Sequence, residues 1–196
     1  DTQWFEYGIF LKNLHAIKLP HELLQQVQKE SFIPHPERLE LIKTFHASIQ
    51  ERQPTNTTEE ELLDFWKNRY EEITGIIART EELGQTLQGE SLEHVLCHAD
   101  IHTANLLIDA AGNLFVVDWD QPILAPKERD LMFIGGGIAS NSADAKESLF
   151  YQGYGPTDMN PLALAYYHYE WVIQEFGDYV WRIFSDSFGD ETKQRA

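Results

Sequence analysis

A single β-hairpin near the middle of the chain is the sequence feature that most restricts the possible folds. Two short, mostly apolar runs, 105–109 and 114–118, are separated by Ala110-Ala111-Gly112-Asn113. The glycine in this connection supplies the positive φ that hairpin turns commonly require. On both sides of the hairpin, apolar residues recur at helical spacing. The pattern predicts a mainly helical α+β fold with one small central hairpin.

The remaining elements are predicted mainly from amphipathic stripes. Thr58 and Glu61 have the spacing of a capping box at the start of the longest helix in the first half. Before the hairpin, the stripes predict helices over 3–17, 21–29, 39–49 and about 58–87. Helices are predicted to resume near residue 127. We divide the chain into a helical part, a loop with its hairpin, and a second helical part, over 1–93, 94–120 and 121–196.

Charge and cysteine content exclude several classes of protein. The chain has 15 Lys+Arg against 32 Asp+Glu, a formal net charge of −17. Without a basic stripe to neutralise phosphates, a nucleic-acid partner is not expected. Acidity fits a cationic small-molecule partner, although it equally serves solubility. The single cysteine, Cys97, excludes an internal disulfide and a Cys-rich zinc site.

The chain ends and its hydropathy give two further expectations. No run of 18 apolar residues is present, so no membrane partner is expected and we predict a cytoplasmic protein. The first residue is Asp1 and a helical pattern begins almost at once. We therefore expect a processed product or a piece of a longer protein.

The segments that flank the hairpin carry the residues suited to chemistry. The run His98-Ala99-Asp100-Ile101-His102-Thr103-Ala104-Asn105 leads into it, and Asp118-Trp119-Asp120 follows it. Because the hairpin returns the chain, Asp118 is expected close to Asn105, with Asp100 on the preceding loop. Oxygen ligands of this kind suit Mg²⁺. A further carboxylate can accept a proton from an attacking hydroxyl, and phosphoryl transfer needs both functions.

This pattern resembles the aminoglycoside phosphotransferase and choline-kinase-like family, which is distantly related to the protein kinases. The shared elements are His-x-Asp-x-x-x-x-Asn, then a hairpin, then Asp-x-Asp. The string 119–137, which includes Ala125-Pro126-Lys127-Glu128-Arg129-Asp130-Leu131, is most similar to the spectinomycin-phosphotransferase-like branch. Ala99 stands where the family usually has glycine. The resemblance is strong over the second half and weak over the helical first half.

The resemblance implies the C-terminal lobe of a protein-kinase-like fold and a role for each motif residue. Asp100 would be the catalytic base, and His98 would tie the catalytic loop to the metal-binding turn. Asn105 and Asp118 would hold Mg²⁺ against the phosphates of ATP. Two further aspartates would assist: Asp120 at the metal or substrate, and Asp130 through the backbone amides of the catalytic loop.

By the same resemblance, the C-terminal helices would form the pocket for the acceptor. We expect an amine-bearing acceptor of the aminoglycoside or aminocyclitol antibiotic type, and hence a role in antibiotic resistance. Three of the candidates fall on one helical face at i, i+4 and i+7. The candidates are Tyr154, Glu170, Trp171, Glu175 and Asp178. The acidic members would equally suit a solvated helix surface.

The nucleotide-binding part of such an enzyme is not found in the sequence. Gly84-x-x-x-x-Gly89 has phosphate-loop spacing, but Glu90 stands where lysine is required. The run 16–18 ends with a lysine, yet it closes an amphipathic helix and no glycine-rich loop precedes it. We therefore expect the N-terminal nucleotide lobe of the same protein to be absent from this chain.

Other functions fit parts of the same pattern. A kinase of a small metabolite such as choline, homoserine or a sugar uses the same motifs, with either ATP or GTP as donor. A non-catalytic kinase-like module is a second alternative. A metal-dependent hydrolase could use the alternating His98, Asp100 and His102 as zinc ligands. That alternative leaves Asn105 and Asp118 without a role, and the sequence has no His-Glu-x-x-His motif.

We predict that these 196 residues alone bind nucleotide poorly and transfer phosphate slowly or not at all, because the nucleotide cradle is incomplete. Kinase assays with radiolabelled ATP on the isolated chain test this directly. Measurable turnover by the chain alone would contradict it.

Overall fold

The structure, a computed structural model, describes residues 2–134 and 143–184. The chain divides into two compact units. Unit 1 consists of Asp1–Ser31 and Glu90–Tyr167, and unit 2 consists of Phe32–Gly89 and His168–Ala196. The structure confirms a mainly helical α+β fold.

Eight α-helices and one short 3-10 helix lie within the described ranges. The α-helices are α1 Thr2–Ala16, α2 His21–Leu24, α3 Pro36–Ser48, α4 Thr57–Asn68, α5 Tyr70–Gln88, α6 Glu128–Leu131, α7 Ala143–Tyr154 and α8 Pro161–Phe184. The 3-10 helix is Thr103–Asn105. None of the helices in the described ranges is both long and apolar enough to span a lipid bilayer.

Five short strands in the described part of the chain form two sheets. They are β1 Gln28–Lys29, β2 Val95–Cys97, β3 Leu106–Ile108, β4 Leu114–Val116 and β5 Ile123–Ala125. Strands β3 and β4 form the predicted antiparallel hairpin, with Leu107 opposite Phe115. The other sheet has the order β1-β5-β2, with β1 parallel and β2 antiparallel to β5.

The three-stranded sheet corrects two predictions. The strands do not all lie in the central hairpin, and the helix predicted over 21–29 ends at Leu24. Its predicted last residues instead pair with β5, where the N–H of Glu30 donates to the carbonyl of Leu124 at 2.8 Å. Strands of two and three residues are too short to show alternation, so only the tertiary pairing defines them.

The long helix predicted from about residue 58 to 87 is two helices. Arg69, with φ −117° and ψ 22°, separates α4 from α5. The predicted capping box of Thr58 and Glu61 is also wrong. The N-cap is Asn56, whose side chain accepts from the N–H of Glu59 at 2.9 Å. The side chain of Glu59 in turn accepts from Nδ2 of Asn56 and from the N–H of Thr55, so the cap lies two residues earlier than predicted.

Each unit has its own apolar core. The core of unit 1 joins α1, α7 and the segment around α6, and its buried members include Tyr7, Leu11, Leu14, Ile101, Leu131 and Phe150. The core of unit 2 joins α3, α4, α5 and the later part of α8, and includes Ile42, Phe45, Leu63, Trp66, Ile73 and Ile173. The core of unit 1 includes Ile101, which belongs to the candidate catalytic loop.

Helices α1 and α7 approach closely through glycines. A Cβ atom placed on Gly8 would overlap the backbone oxygen of Phe150, and one on Gly153 would overlap the backbone oxygen of Phe5. Only glycine permits this contact, because the obstructing atoms belong to the backbone and cannot rotate away.

We predict that Gly8→Ala lowers the free energy of unfolding by about 1–3 kcal/mol, because the helices must separate to admit the methyl group. Gly75→Ala is the matched control within α5, since nothing lies within 4 Å of its Cβ position. It is expected to stabilise by about 0.4–1 kcal/mol. Urea denaturation monitored by circular dichroism measures both. Equal effects of the two substitutions would contradict the close packing of α1 and α7.

A buried histidine links three elements of unit 2. Nδ1 of His46 accepts from Nε1 of Trp66 at 2.9 Å, so Nδ1 carries no proton in the folded state. Nε2 lies 2.9 Å from Oγ1 of Thr74 and donates to it. Burial lowers the pKa of His46, although the charge of Glu71 acts in the opposite direction. A proton added to Nδ1 would face the N–H of Trp66.

Because the folded pKa of His46 lies below its ordinary value, its contribution to stability is complete above about pH 6.5 and is lost as the pH falls below that value. We expect His46→Asn to reduce this pH dependence, since its amide oxygen accepts from Trp66 and does not titrate. Urea denaturation at about pH 7.5 and about pH 5.5, roughly one pH unit on either side of the ordinary histidine pKa, measures the difference. The same loss in both proteins would contradict the prediction.

Candidate active site

The backbone of the loop after β2 is fixed by one buried carboxylate. Asp130 is fully buried, and its Oδ2 accepts from the N–H of His98 at 3.0 Å. Its Oδ1 accepts from the N–H of Ala99 at 2.8 Å. Ala99 has φ 75°, in the left-handed region that usually costs an alanine about 1–2 kcal/mol. Two hydrogen bonds to an ionised group offset this cost.

The backbone of Asp100 is held on both sides, while its side chain is exposed and has only long contacts, the nearest being Nδ2 of Asn105 at 3.4 Å from Oδ2. Nδ2 of Asn105 donates to the backbone oxygen of Asp100 at 2.8 Å. The hydroxyl of Tyr7 donates to the next carbonyl, that of Ile101, also at 2.8 Å. The carboxylate of Asp100 is 56% exposed, with Nε2 of His102 3.6 Å from Oδ2. The fold thus presents a carboxylate on a rigid backbone to the solvent.

The hairpin brings Asp118 back beside Asn105. The N–H of Val117 donates to the backbone oxygen of Asn105 at 3.0 Å, so Asp118 directly follows the residue paired with Asn105. Asp118 has φ 65°, a conformation that aspartate tolerates better than most residues. Such backbone conformations in ordered segments are concentrated at functional sites.

His98 connects the loop to this turn. Its Nε2 donates to the backbone oxygen of Val117 at 3.0 Å. Its ring packs against that of Trp119, with centroids 4.5 Å apart. Nε1 of Trp119 donates to the backbone oxygen of Val116 at 3.1 Å. The imidazole is buried, so its contacts are those of a support between two loops and not those of a solvent-facing base.

The oxygen donors at the hairpin mouth fit Mg²⁺. Nδ2 of Asn105 is used by Asp100, and within the described residues no donor is bonded to its Oδ1. The carboxylates of Asp118 and Asp120 are exposed, and neither has a hydrogen-bond or ion-pair partner among the described residues. A carboxylate, a carboxamide oxygen and open access for water match the ligand preferences of this ion. Asp100, Asp118 and Asp120 do not, however, form a three-carboxylate cluster in the described ranges.

The predicted acceptor residues divide between the units. In unit 1, the hydroxyl of Tyr154 lies 2.8 Å from Nδ1 of His15, so it is engaged in the interior. In unit 2, Glu170 is buried and accepts from Nε2 of Gln174. Asp178 forms an ion pair with Arg38, whose Nη2 lies 2.6 Å from Oδ1. The two remaining candidates, Trp171 and Glu175, are half-buried on α8.

Two contributors to the site were not predicted. Tyr7 and His15 both lie on α1, where they read as ordinary members of an amphipathic stripe. Their partners Ile101 and Asp130 are 94 and 115 residues away along the chain, so no local pattern relates them. In the string 119–137 that carries part of the family resemblance, residues 135–137 lie outside the described residues.

Comparisons with known proteins agree with this geometry. Residues 1–142 match the model of the phosphotransferase enzyme family, APH. Spectinomycin phosphotransferase APH(9)-Ia, in complex with ADP and spectinomycin, superimposes with a TM-score of 0.84 at 30% identity, over 98% of this chain and 58% of that chain. Its AMP-bound complex gives a TM-score of 0.82 at 31% identity, over 94% and 58% of the two chains.

A more distant structure shares the fold alone. Ethanolamine kinase from Plasmodium vivax superimposes with a TM-score of 0.56 at 15% identity, over 98% of this chain and 56% of that chain. The fold class is therefore that of the C-terminal lobe of a protein-kinase-like protein. The chain belongs to the phosphotransferase enzyme family, and it spans about 58% of the length of the spectinomycin phosphotransferase that it resembles.

We predict that Ala99→Gly raises the free energy of unfolding by about 0.5–1 kcal/mol. It removes the 1–2 kcal/mol cost of a left-handed alanine, less the entropy of a freer unfolded chain. Ala104→Gly, in the exposed 3-10 helix of the same loop, is the control and should destabilise by about 0.5–1 kcal/mol. Urea denaturation compares the two. A loss of stability in both variants would show that the backbone at Ala99 is not strained.

Proposed function

We propose that this chain is the catalytic-loop lobe of a small-molecule phosphotransferase, which moves the γ-phosphate of ATP to a hydroxyl of its acceptor. The observation that carries the proposal is the fixed backbone and solvent-exposed carboxylate of Asp100 beside Asn105. Positioning of a base is a large part of what a protein contributes to phosphoryl transfer.

Asp100 is the catalytic base in this proposal. Its carboxylate accepts a hydrogen bond from the acceptor hydroxyl and takes the proton as the hydroxyl oxygen bonds to the γ-phosphorus. The bond between that phosphorus and the leaving oxygen of ADP breaks in the same displacement. His98 takes no proton here, and it holds the loop against the turn that carries Asp118.

Asn105 and Asp118 are the proposed ligands of Mg²⁺, with Asp120 assisting. The ion, when bound, neutralises charge on the nucleotide phosphates. Nucleotide binding is supported by the complexes of spectinomycin phosphotransferase with ADP and AMP. We further propose that a nucleotide-binding lobe outside these 196 residues completes the site, and that the chain alone is inactive.

The proposed acceptor is an amine-bearing aminocyclitol or aminoglycoside, and the proposed consequence is antibiotic resistance. Support comes from the 30% identity to a spectinomycin phosphotransferase and from the net charge of −17. Trp171, Glu175 and Asp178 of α8 are the proposed contacts of the amine, and Asp178 also forms an ion pair with Arg38.

Titration calorimetry on the full-length protein tests the acceptor. Spectinomycin, an aminoglycoside, choline and homoserine are compared with a neutral sugar. We expect an amine-bearing compound to bind and the sugar not to bind. Binding of the neutral sugar alone would contradict the proposed acceptor class and leave the catalytic assignment intact.

Asp100→Asn is expected to lower kcat in the full-length protein by about 10²–10⁴-fold, the usual contribution of a general base. Asp109→Asn is the matched control at the opposite end of the hairpin. The Asp109 side chain accepts from the backbone and side-chain amides of Asn113, and it should not affect turnover. A coupled assay of ADP release measures both. Equal kcat values for Asp100→Asn and Asp109→Asn would overturn the assignment of the base.

A further inference from the structure

A chain of side-chain hydrogen bonds lies behind the catalytic loop, entirely within unit 1. Nε2 of His15 lies 3.1 Å from Oδ2 of Asp130, and Nδ1 lies 2.8 Å from the hydroxyl of Tyr154. All three side chains are buried, with Asp130 at 0% exposure. These hydrogen bonds join α7 to α1, and they join α1 to the carboxylate that holds the amides of His98 and Ala99.

The partners determine where the protons lie. Asp130 accepts from two backbone amides, so its carboxylate is ionised and only accepts. Nε2 of His15 is therefore the donor to Oδ2, and Nδ1 pairs with the hydroxyl of Tyr154. Burial, with smaller contributions from neighbouring acidic groups, raises the pKa of Tyr154, so its hydroxyl keeps its proton.

A buried metal does not explain this cluster. His15, Cys97 and Asp130 offer ligand atoms within 4.8 Å of one another. However, both ring nitrogens and both carboxylate oxygens are already engaged in hydrogen bonds. The thiol of Cys97 is engaged as well, because it donates to the backbone oxygen of Ala125 at 3.6 Å, and burial raises its pKa well above the usual range.

We propose that His15 is a positioning residue for phosphoryl transfer: fixed by Tyr154, it orients the carboxylate of Asp130 so that each oxygen holds one amide of the loop before Asp100. This inference rests on the proposed function for its catalytic consequence. The claim that His15 holds the amides of His98 and Ala99 through Asp130 does not depend on the proposed function.

Without the bond from His15, one oxygen of a fully buried carboxylate loses a donor. The carboxylate then has only the two amides to neutralise it, and its side chain can rotate. Ala99, at φ 75°, relaxes most readily because its conformation is strained. The side chain of Asp100 then loses its fixed position, although no group that touches substrate has been changed.

The test uses His15→Ala, His15→Gln and Tyr154→Phe in the full-length protein. The glutamine amide can place an N–H near the position of Nε2, so His15→Gln is the conservative rescue. His21→Gln, on an exposed residue of α2, and Tyr151→Phe, on the same helix as Tyr154, are the matched controls. Residue-resolved amide exchange and steady-state kinetics are measured for every variant.

We expect His15→Ala to speed exchange of the amides of residues 98 and 99 by about tenfold or more, as for the loss of a hydrogen bond to a charged group. Exchange within α5 should not change. The same variant should lower kcat by about tenfold with KM for acceptor and nucleotide within about twofold, as when only transition-state positioning is lost. Tyr154→Phe should show a smaller effect of the same kind, and His15→Gln and both controls should stay near the wild type.

Wild-type exchange at residues 98 and 99 in His15→Ala would overturn the inference, whatever the activity. Faster exchange with unchanged kcat would overturn the positioning role. If the wild-type protein transfers no phosphate, the proposed function fails, and the exchange result alone decides whether His15 holds the loop.

Discussion

The candidate site depends on one buried carboxylate that holds two consecutive backbone amides. Asp130 accepts from His98 and Ala99, and these bonds fix the loop in a conformation that Ala99 would otherwise avoid. An ionised carboxylate is costly to bury unless its lone pairs are satisfied. The hydrogen bonds that satisfy Asp130 therefore also determine the path of the loop. A change to the carboxylate affects the loop backbone, and a change to that backbone affects the carboxylate.

The rest of the site follows from that anchor. With residues 98 and 99 fixed, the bonds from Asn105 and Tyr7 hold the carbonyls of residues 100 and 101. The hairpin then returns Asp118 beside Asn105, and His98 braces the turn. The fold thus positions the loop through backbone hydrogen bonds and leaves the carboxylates of Asp100 and Asp118 exposed to solvent. This division suits a reaction that depends mainly on orientation and electrostatics.

Local patterns in the sequence predicted the hairpin and the loop before it, because the residues that define both are close together along the chain. The sheet of β1, β5 and β2 was not predicted, since pairing across almost a hundred residues defines strands of two or three residues. The break at Arg69 carries neither proline nor glycine, so an uninterrupted amphipathic stripe gave no sign of it. The bonds from α1 to the loop were equally inaccessible, because residues 7 and 15 differ in no local way from other members of their stripe.

The most direct test of the central claim is a crystal structure of the full-length protein with Mn²⁺ and a non-hydrolysable ATP analogue, in which anomalous scattering locates the metal. We expect one ion bonded to Oδ1 of Asn105 and to the carboxylate of Asp118, at about 2.1–2.2 Å as for small divalent cations with oxygen ligands. The carboxylate of Asp100 should lie off the metal and face the acceptor side. A metal bound elsewhere, with Asn105 and Asp118 too far apart to share it, would contradict the assignment of this hairpin as a phosphotransfer site.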